Sequence, residues 1–369
     1  MLAAIRKFSD RVLGRGDAAI TVPVMDGALK ANRVLDEAKI VAALPAIDDL
    51  ASDGDTLWAS AGRTLYRLEG DVLVAAKEFD AEISAIAARS GLLAVALNGR
   101  SIQVLRTQGD RGNEWRETAK LDQLGGPLIG VNALAFDGDD QLVFSEGSQR
   151  HAPADWCRDL MELGRSGRVG RWNFRNGASN AASTELARNL HFAYGVLVQE
   201  GAVRVSESWR HRVVDAAGSR VLLPAELPGY PSRMTPASGG GFWLSCFVCR
   251  TQLVEFVLRE PAYRQRMLAE VDPRYWIAPA LASGQSFLEP LQGASVKQMG
   301  VLKPWAPPRS YGLVIRVGAD GQVQRSLHSQ VDGKHHGITG VAEHGGRLYV
   351  ASKGSGRLLS VGLDEGAAS

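Results

Sequence analysis

Asp53-Gly54-Asp55-Thr56-Leu57-Trp58-Ala59-Ser60 joins a glycine turn to a short run of apolar and β-branched residues that ends on small or polar ones. The phrase returns at Ser90-Gly91-Leu92-Leu93-Ala94-Val95 and at Asp137-Gly138-Asp139-Asp140-Gln141-Leu142-Val143-Phe144. Further copies are Glu200-Gly201-Ala202-Val203-Arg204-Val205, Gly239-Gly240-Gly241-Phe242-Trp243-Leu244 and Gly345-Gly346-Arg347-Leu348-Tyr349-Val350. Each reads as a hairpin inside a small antiparallel sheet. Units of roughly 40 residues that cannot bury a core alone are the signature of a β-propeller. Six copies predict an all-β chain of six blades, with a binding site at one mouth of the central channel.

The chain has 369 residues, enough for a large core, and a formal net charge of +2. That balance creates no field that would draw nucleic acid. Three cysteines, Cys157, Cys246 and Cys249, make no disulfide framework, and a cytoplasmic location is expected. No apolar run approaches the ~20 residues of a membrane span. Within residues 1–18, Leu2, Ile5, Phe8 and Val12 fall near helical spacing among Arg6, Lys7, Arg11 and Arg15. Arg6, Lys7 and Asp10 interrupt the apolar run that a secretory leader needs, so none is expected. The segment reads as a helix that caps the propeller, with peripheral membrane contact through residues 1–15 as the alternative.

Residues 19–365 form the propeller, and either 19–24 or 34–41 joins the last blade, so that the two chain ends close the ring and hide an edge. Blade three carries an excursion, residues 149–166, helical around 154–163. Blade five is expected to contain a strand at 251–258 and is then interrupted. Over 260–308 the strand rhythm disappears, 263–270 and 290–300 read as helical or irregular, and Lys303-Pro304-Trp305-Ala306-Pro307-Pro308 is a stiff connector. Long insertions of this kind are commonly functional. Tyr275, Trp276 and Trp305 suit a lid over the mouth as well as packing on the rim.

From residue 127 to 250 and from 311 to 363 the chain resembles the strictosidine synthase-like proteins, relatives of the gluconolactonase and senescence-marker group. Val131-Asn132-Ala133-Leu134, then Val143-Phe144-Ser145-Glu146-Gly147-Ser148 and Ser166-Gly167-Arg168-Val169, follow that family's third blade. Phe192-Ala193-Tyr194-Gly195-Val196 with Glu207-Ser208 and Arg212 follows its fourth, and Leu227-Pro228-Gly229-Tyr230-Pro231-Ser232-Arg233-Met234 with Gly240-Gly241-Phe242-Trp243-Leu244 its fifth. Glu343-His344-Gly345-Gly346-Arg347-Leu348-Tyr349 matches its closing phrase.

By register, the starts of the inner strands place Asp48 and Asp49, Glu82 and Ser84, Asn132, Tyr194, Ser232 and Arg233, and His336 and Thr339 at the mouth. The resemblance implies that metal-dependent relatives hold a Ca²⁺-like ion there on four oxygen-rich side chains. Here Asp48 and Asn132 could serve, but Tyr194 replaces an asparagine, and Ser232 beside Arg233 replaces an aspartate. A hard cation needs six or more oxygens and is repelled by a guanidinium. No cofactor is therefore expected, a divalent ion on Asp48 and Asn132 being the alternative. The resemblance also implies that the founding enzyme's catalytic glutamate corresponds to Thr339, which cannot accept a proton near neutrality, so the strictosidine condensation itself is not expected.

A metal-independent enzyme is expected, acting by addition or hydrolysis on a polar, anionic small molecule. His336 would be its base. Arg233 and Tyr194 would orient the anion, with Asn132, Ser232, Thr339 and Asp48 around the substrate. The alternatives are a metal-dependent lactonase or ester hydrolase and a non-catalytic binding propeller. A further reading pairs Arg233 internally with Asp48 or Asp49.

Overall fold

The computed structural model describes residues 22–108, 114–175, 183–216, 221–223, 227–282, 297–298, 301–302 and 310–363. The N-terminal amphipathic segment and the Lys303–Pro308 connector lie outside them. Six four-stranded antiparallel sheets stand around a channel, so the all-β, six-bladed expectation holds. In the first blade the strands Ile47–Ser52, Leu57–Ala61, Thr64–Glu69 and Val72–Glu78 run outward in order. The inner strands of the next four blades are Ile83–Arg89, Val131–Phe136, Ala193–Gln199 and Gly229–Pro236, and that of the sixth is Ile338–His344.

Each glycine phrase is the turn between an inner strand and its neighbour. Gly54, Gly91, Gly138, Gly201, Gly239 and Gly345 all have positive φ, a conformation that costs other residues stability. The sixth blade is closed by Lys39–Ala43, which pairs antiparallel with Arg357–Gly362. The chain ends therefore do meet in one blade, although Val34–Glu37 is a short helix and only the residues after it form the strand.

The apolar core is divided among the six blade junctions. Ala85, Leu92 and Val104 of blade two meet Val131, Phe144 and Trp172 of blade three in one cluster. The blade-six residues Ala342, Tyr349 and Leu358 likewise meet Ile47, Leu57 and Ala59 of blade one. A further cluster belongs to no junction. It unites Leu160, Met161, Tyr194, Phe247, Val254, Met267 and Trp276 above one end of the channel.

The strand expected over 251–258 is instead the helix Gln252–Val257, started by Thr251, whose hydroxyl accepts the Val254 N–H at 3.3 Å. Leu253, Val254 and Val257 pack inward at i, i+1 and i+4, a helical stripe that a short window also reads as strand. Pro261–Glu270 is helical, and within 290–300 the pair Lys297–Gln298 lies antiparallel to Val301–Leu302, where helical or irregular chain was expected.

Candidate functional site at the roofed mouth

Every inner strand carries a one-residue irregularity in its pairing, in the same place. The register shifts between Ile47 and Leu50, Ile83 and Ala85, Val131 and Ala133, Ala193 and Val196, Pro231 and Met234, and Ile338 and Gly340. A bulge leaves one residue unpaired and re-aims its side chain. The residues so released include Asp48, Asp49, Ser84, Asn132, Tyr194, Ser232, Arg233 and Thr339. Serines on the second strands take up the backbone groups that the bulges strand. Ser60 Oγ accepts the Asp49 N–H at 3.0 Å. Ser206 Oγ accepts the Gly195 N–H at 2.7 Å and donates to the Ser232 carbonyl at 2.6 Å. Ser245 Oγ donates to the Arg233 carbonyl at 3.0 Å.

Arg233 fills the centre. Its Nε donates to the Asn132 carbonyl at 3.0 Å, Nη1 to the Asp48 and Thr339 carbonyls at 2.9 and 3.2 Å, and Nη2 to the Ser84 carbonyl at 2.7 Å and Asp48 Oδ2 at 2.9 Å. Asp49 Oδ2 lies 3.2 Å from Nε. The guanidinium also stands 5.3 Å from the centre of the Tyr194 ring, a cation–π contact. A blade-five side chain thus touches blades one, two, three, four and six, and its five N–H bonds all have acceptors.

The electrostatics follow. Burial pushes the Asp48 carboxyl upward, but the Lys353 ammonium and Arg233 outweigh it and hold its pKa below the usual value. Asp49 is raised to about 6, because burial outweighs the attraction of Arg233 and the N–H bonds from Ile86 and Leu50. Arg233, although buried, is held charged by Asp49 and Asp48. Burial raises the Tyr194 phenol, keeping it protonated.

The remaining predicted residues divide. Asp48, Ser84, Asn132, Tyr194, Arg233 and Thr339 line one cavity together. Thr339 Oγ1 donates inward to the Asp48 carbonyl at 2.6 Å, and Asn132 Nδ2 to the Ala193 carbonyl at 3.4 Å. Ser232 is buried behind the ring, bonded to Ser245 and the Ile338 carbonyl. His336 is outside the cavity lining. Its Nε2 donates to the Gln330 carbonyl at 2.7 Å, and burial lowers its pKa.

Sequence reasoning missed Lys353, whose Nζ lies 2.6 Å from Asp48 Oδ1 at the cavity edge. It also missed that blade three and the blade-five insertion build one roof. Pro153, Trp156, Phe247 and Leu281 face the ring. Trp156 packs edge-on to Phe247 at 5.1 Å, Arg158 covers Trp276 at 5.1 Å, and Arg264 donates to the Met161 carbonyl. Trp276 is buried in this roof, whereas Tyr275 is 42% exposed. Between ring and roof the cavity measures about 30 Å³, room for about one water molecule. Beyond Arg233 the channel widens to about 260 Å³ between walls such as Leu50, Ile86, Leu134, Leu197 and Met234. Asp48 and Lys353 stand on the roofed side, Asp49 and Arg89 line the wider channel, and Arg233 borders both.

A divalent ion fits this ring poorly. The backbone carbonyls of Asp48, Ser84, Asn132 and Thr339, and Asp48 Oδ2, already accept from Arg233, whose positive charge fills the ring, and two cations already neutralise Asp48.

Fold and ring together define a six-bladed β-propeller, similar to those of the strictosidine synthase-like, gluconolactonase-type group. Two curated relatives support that placement. The adipocyte plasma membrane-associated protein of Salmo salar is 24% identical over 256 residues, 65% of this chain and 55% of the relative. Its Danio rerio counterpart is 25% identical over 245 residues, 64% and 52% of the two chains. The chain thus spans about half the length of these relatives. Among solved structures, a putative gluconolactonase superposes with a TM-score of 0.52 at 15% identity, covering 88% of this chain and 91% of its own. A gluconolactonase of Xanthomonas campestris gives 0.50 at 12% identity, covering 88% of each chain. At these identities the likeness is one of fold. No protein-family model matches the chain. Among the described residues no helix is long and apolar enough to cross a membrane.

Proposed function

We propose that the chain is a small-molecule enzyme of this propeller group that works at the roofed mouth without a divalent metal, by hydrolysis of an ester or lactone or by addition to a carbonyl. The observation that supports this reading is Arg233, whose guanidinium occupies the oxygen ring and neutralises its carboxylates. A catalytic ion would have to displace a buried, fully bonded cation. The gluconolactonase fold makes a lactone the first substrate class to try.

A panel of γ- and δ-lactones and aryl esters, assayed before and after exhaustive chelation, tests the reading. Turnover that survives chelation is expected. Turnover lost on chelation and restored by Ca²⁺ would instead establish metal-dependent hydrolysis. The cramped cavity favours a second reading, a propeller that binds small molecules without transforming them. Ligand-induced thermal shifts with no turnover across the panel would support it.

A further inference from the structure

An anion entering the mouth meets two cations, and only one has hydrogen-bonding capacity to offer. Arg233 donates all five N–H bonds within the ring. Lys353 has three, and among the described residues its ammonium donates to Asp48 Oδ1 alone. Its side chain is 39% exposed. Its backbone is anchored to the sixth blade, where the Lys353 N–H donates to the Gly337 carbonyl at 2.9 Å. The next residue, Gly354, touches the roof so closely that a Cβ there would lie 2.0 Å from the Leu281 carbonyl. Facing the polar ring, the cavity that Lys353 borders also has aromatic and apolar walls from Trp156, Tyr194, Phe247, Pro153 and Leu281.

We propose that Lys353 is the ligand-contacting cation of the mouth, and that its ligand is a small monocarboxylate with a flat apolar body. The carboxylate takes the free N–H bonds of Lys353 while Asp48 holds the ammonium from behind, and the body lies against Trp156, Tyr194 and Phe247. Because the present cavity holds about one water molecule, entry requires Leu281 to move aside. The inference rests on reading the roofed mouth as a small-molecule site.

The test is calorimetric titration of wild type, Lys353→Met, Lys353→Arg and Leu281→Trp with benzoate and phenylacetate, and with their neutral amides. Carboxylates should bind wild type more tightly than the amides do. Lys353→Met should lose about ten- to a hundred-fold of that affinity, the usual worth of a charge-assisted contact, and Lys353→Arg should retain most of it. Equal carboxylate affinity in wild type and Lys353→Met, abolished by Leu281→Trp, would overturn the role of Lys353 while leaving the mouth as the site. Carboxylate binding untouched by Leu281→Trp, or absent from wild type, would overturn both. If Lys353→Met fails to fold, Lys353→Gln takes its place, and unchanged affinity there is equally fatal.

Discussion

Arg233 shows how far one side chain can hold a ring together. It links blade five to blades one, two, three and six by hydrogen bonds and to blade four through the Tyr194 ring. Removing one partner of a buried ion pair strands the other, at a cost of about 3–5 kcal/mol. Arg233→Ala should therefore lower the unfolding free energy by about that amount in urea titrations; an unchanged midpoint would mean that the blades close without it. Asp49 adds a pH dependence. Its folded pKa, about 6, stands above the ordinary 3.8, so the folded state binds the proton more tightly. The stability this group contributes is fully present below about pH 4 and is lost as the pH rises through 6. Asp48, shifted downward, loses its contribution only at lower pH. The linkage amounts to roughly 3 kcal/mol between pH 4 and 7. Wild type should gain stability over Asp49→Asn as the pH falls from 7 to 5, and parallel melting curves would contradict the assignment. The place of Arg233 at the mouth was legible from repeat register. Its saturation was not, because four of its acceptors are backbone carbonyls, which carry no sequence signature.

The bulge and the second-strand serine form a unit that recurs around the ring. In blades one, four and five, Ser60, Ser206 and Ser245 each bond a backbone group of the bulged residues. Blade two has no serine on its second strand, and there Ser84 Oγ accepts from Gly99 and donates to the Ala96 carbonyl at the bulge itself. Ser206→Ala would strand a buried N–H and a buried carbonyl, at about 1–3 kcal/mol. The unfolding midpoint should fall accordingly, and an unaltered midpoint would show that the bulge needs no such brace. A second recurring unit pairs the last residue of the second strand with the start of the third. Arg168 Nε meets Glu146 Oε2 at 2.5 Å and Arg212 Nε meets Glu207 Oε2 at 2.6 Å, while Ile129 and His191 donate their N–H groups to the same carboxylates. These glutamates and arginines stand in the family phrases, so their pairing was within reach of the sequence. The helix Gln252–Val257 was not, since its six residues are too few to separate the helical period from the strand period.

At the scale of the whole molecule, the side on which each addition emerges follows from topology. Inner strands begin at the roofed mouth and second strands return to it, so chain inserted after a second strand comes out above the ring. Residues 149–166 leave after Glu146, the blade-five insertion after Cys249, and Lys353 follows Ser352. Repeat register therefore held enough information to place all three on one side. What it could not give was the contact among them, because the packing of Trp156 on Phe247 and of Arg158 on Trp276 joins segments far apart in the chain. The pairing that closes the ring has a mechanical corollary. Lys39 faces Ser360 and Ala43 faces Arg357, so the two outgoing ends of the chain leave the seam side by side. Tension applied between the ends would first have to strip residues 28–36 from blade five, where Asn32 holds Ser326 and His328 and Asp36 holds Ser329, and only then would it reach Lys39 and Ser360 and part the seam bonds one after another, like a zip. The toroid is thus fastened by a clasp with a guard, because the chain that leads into the seam is itself held on blade five and bears a directed force before the seam does.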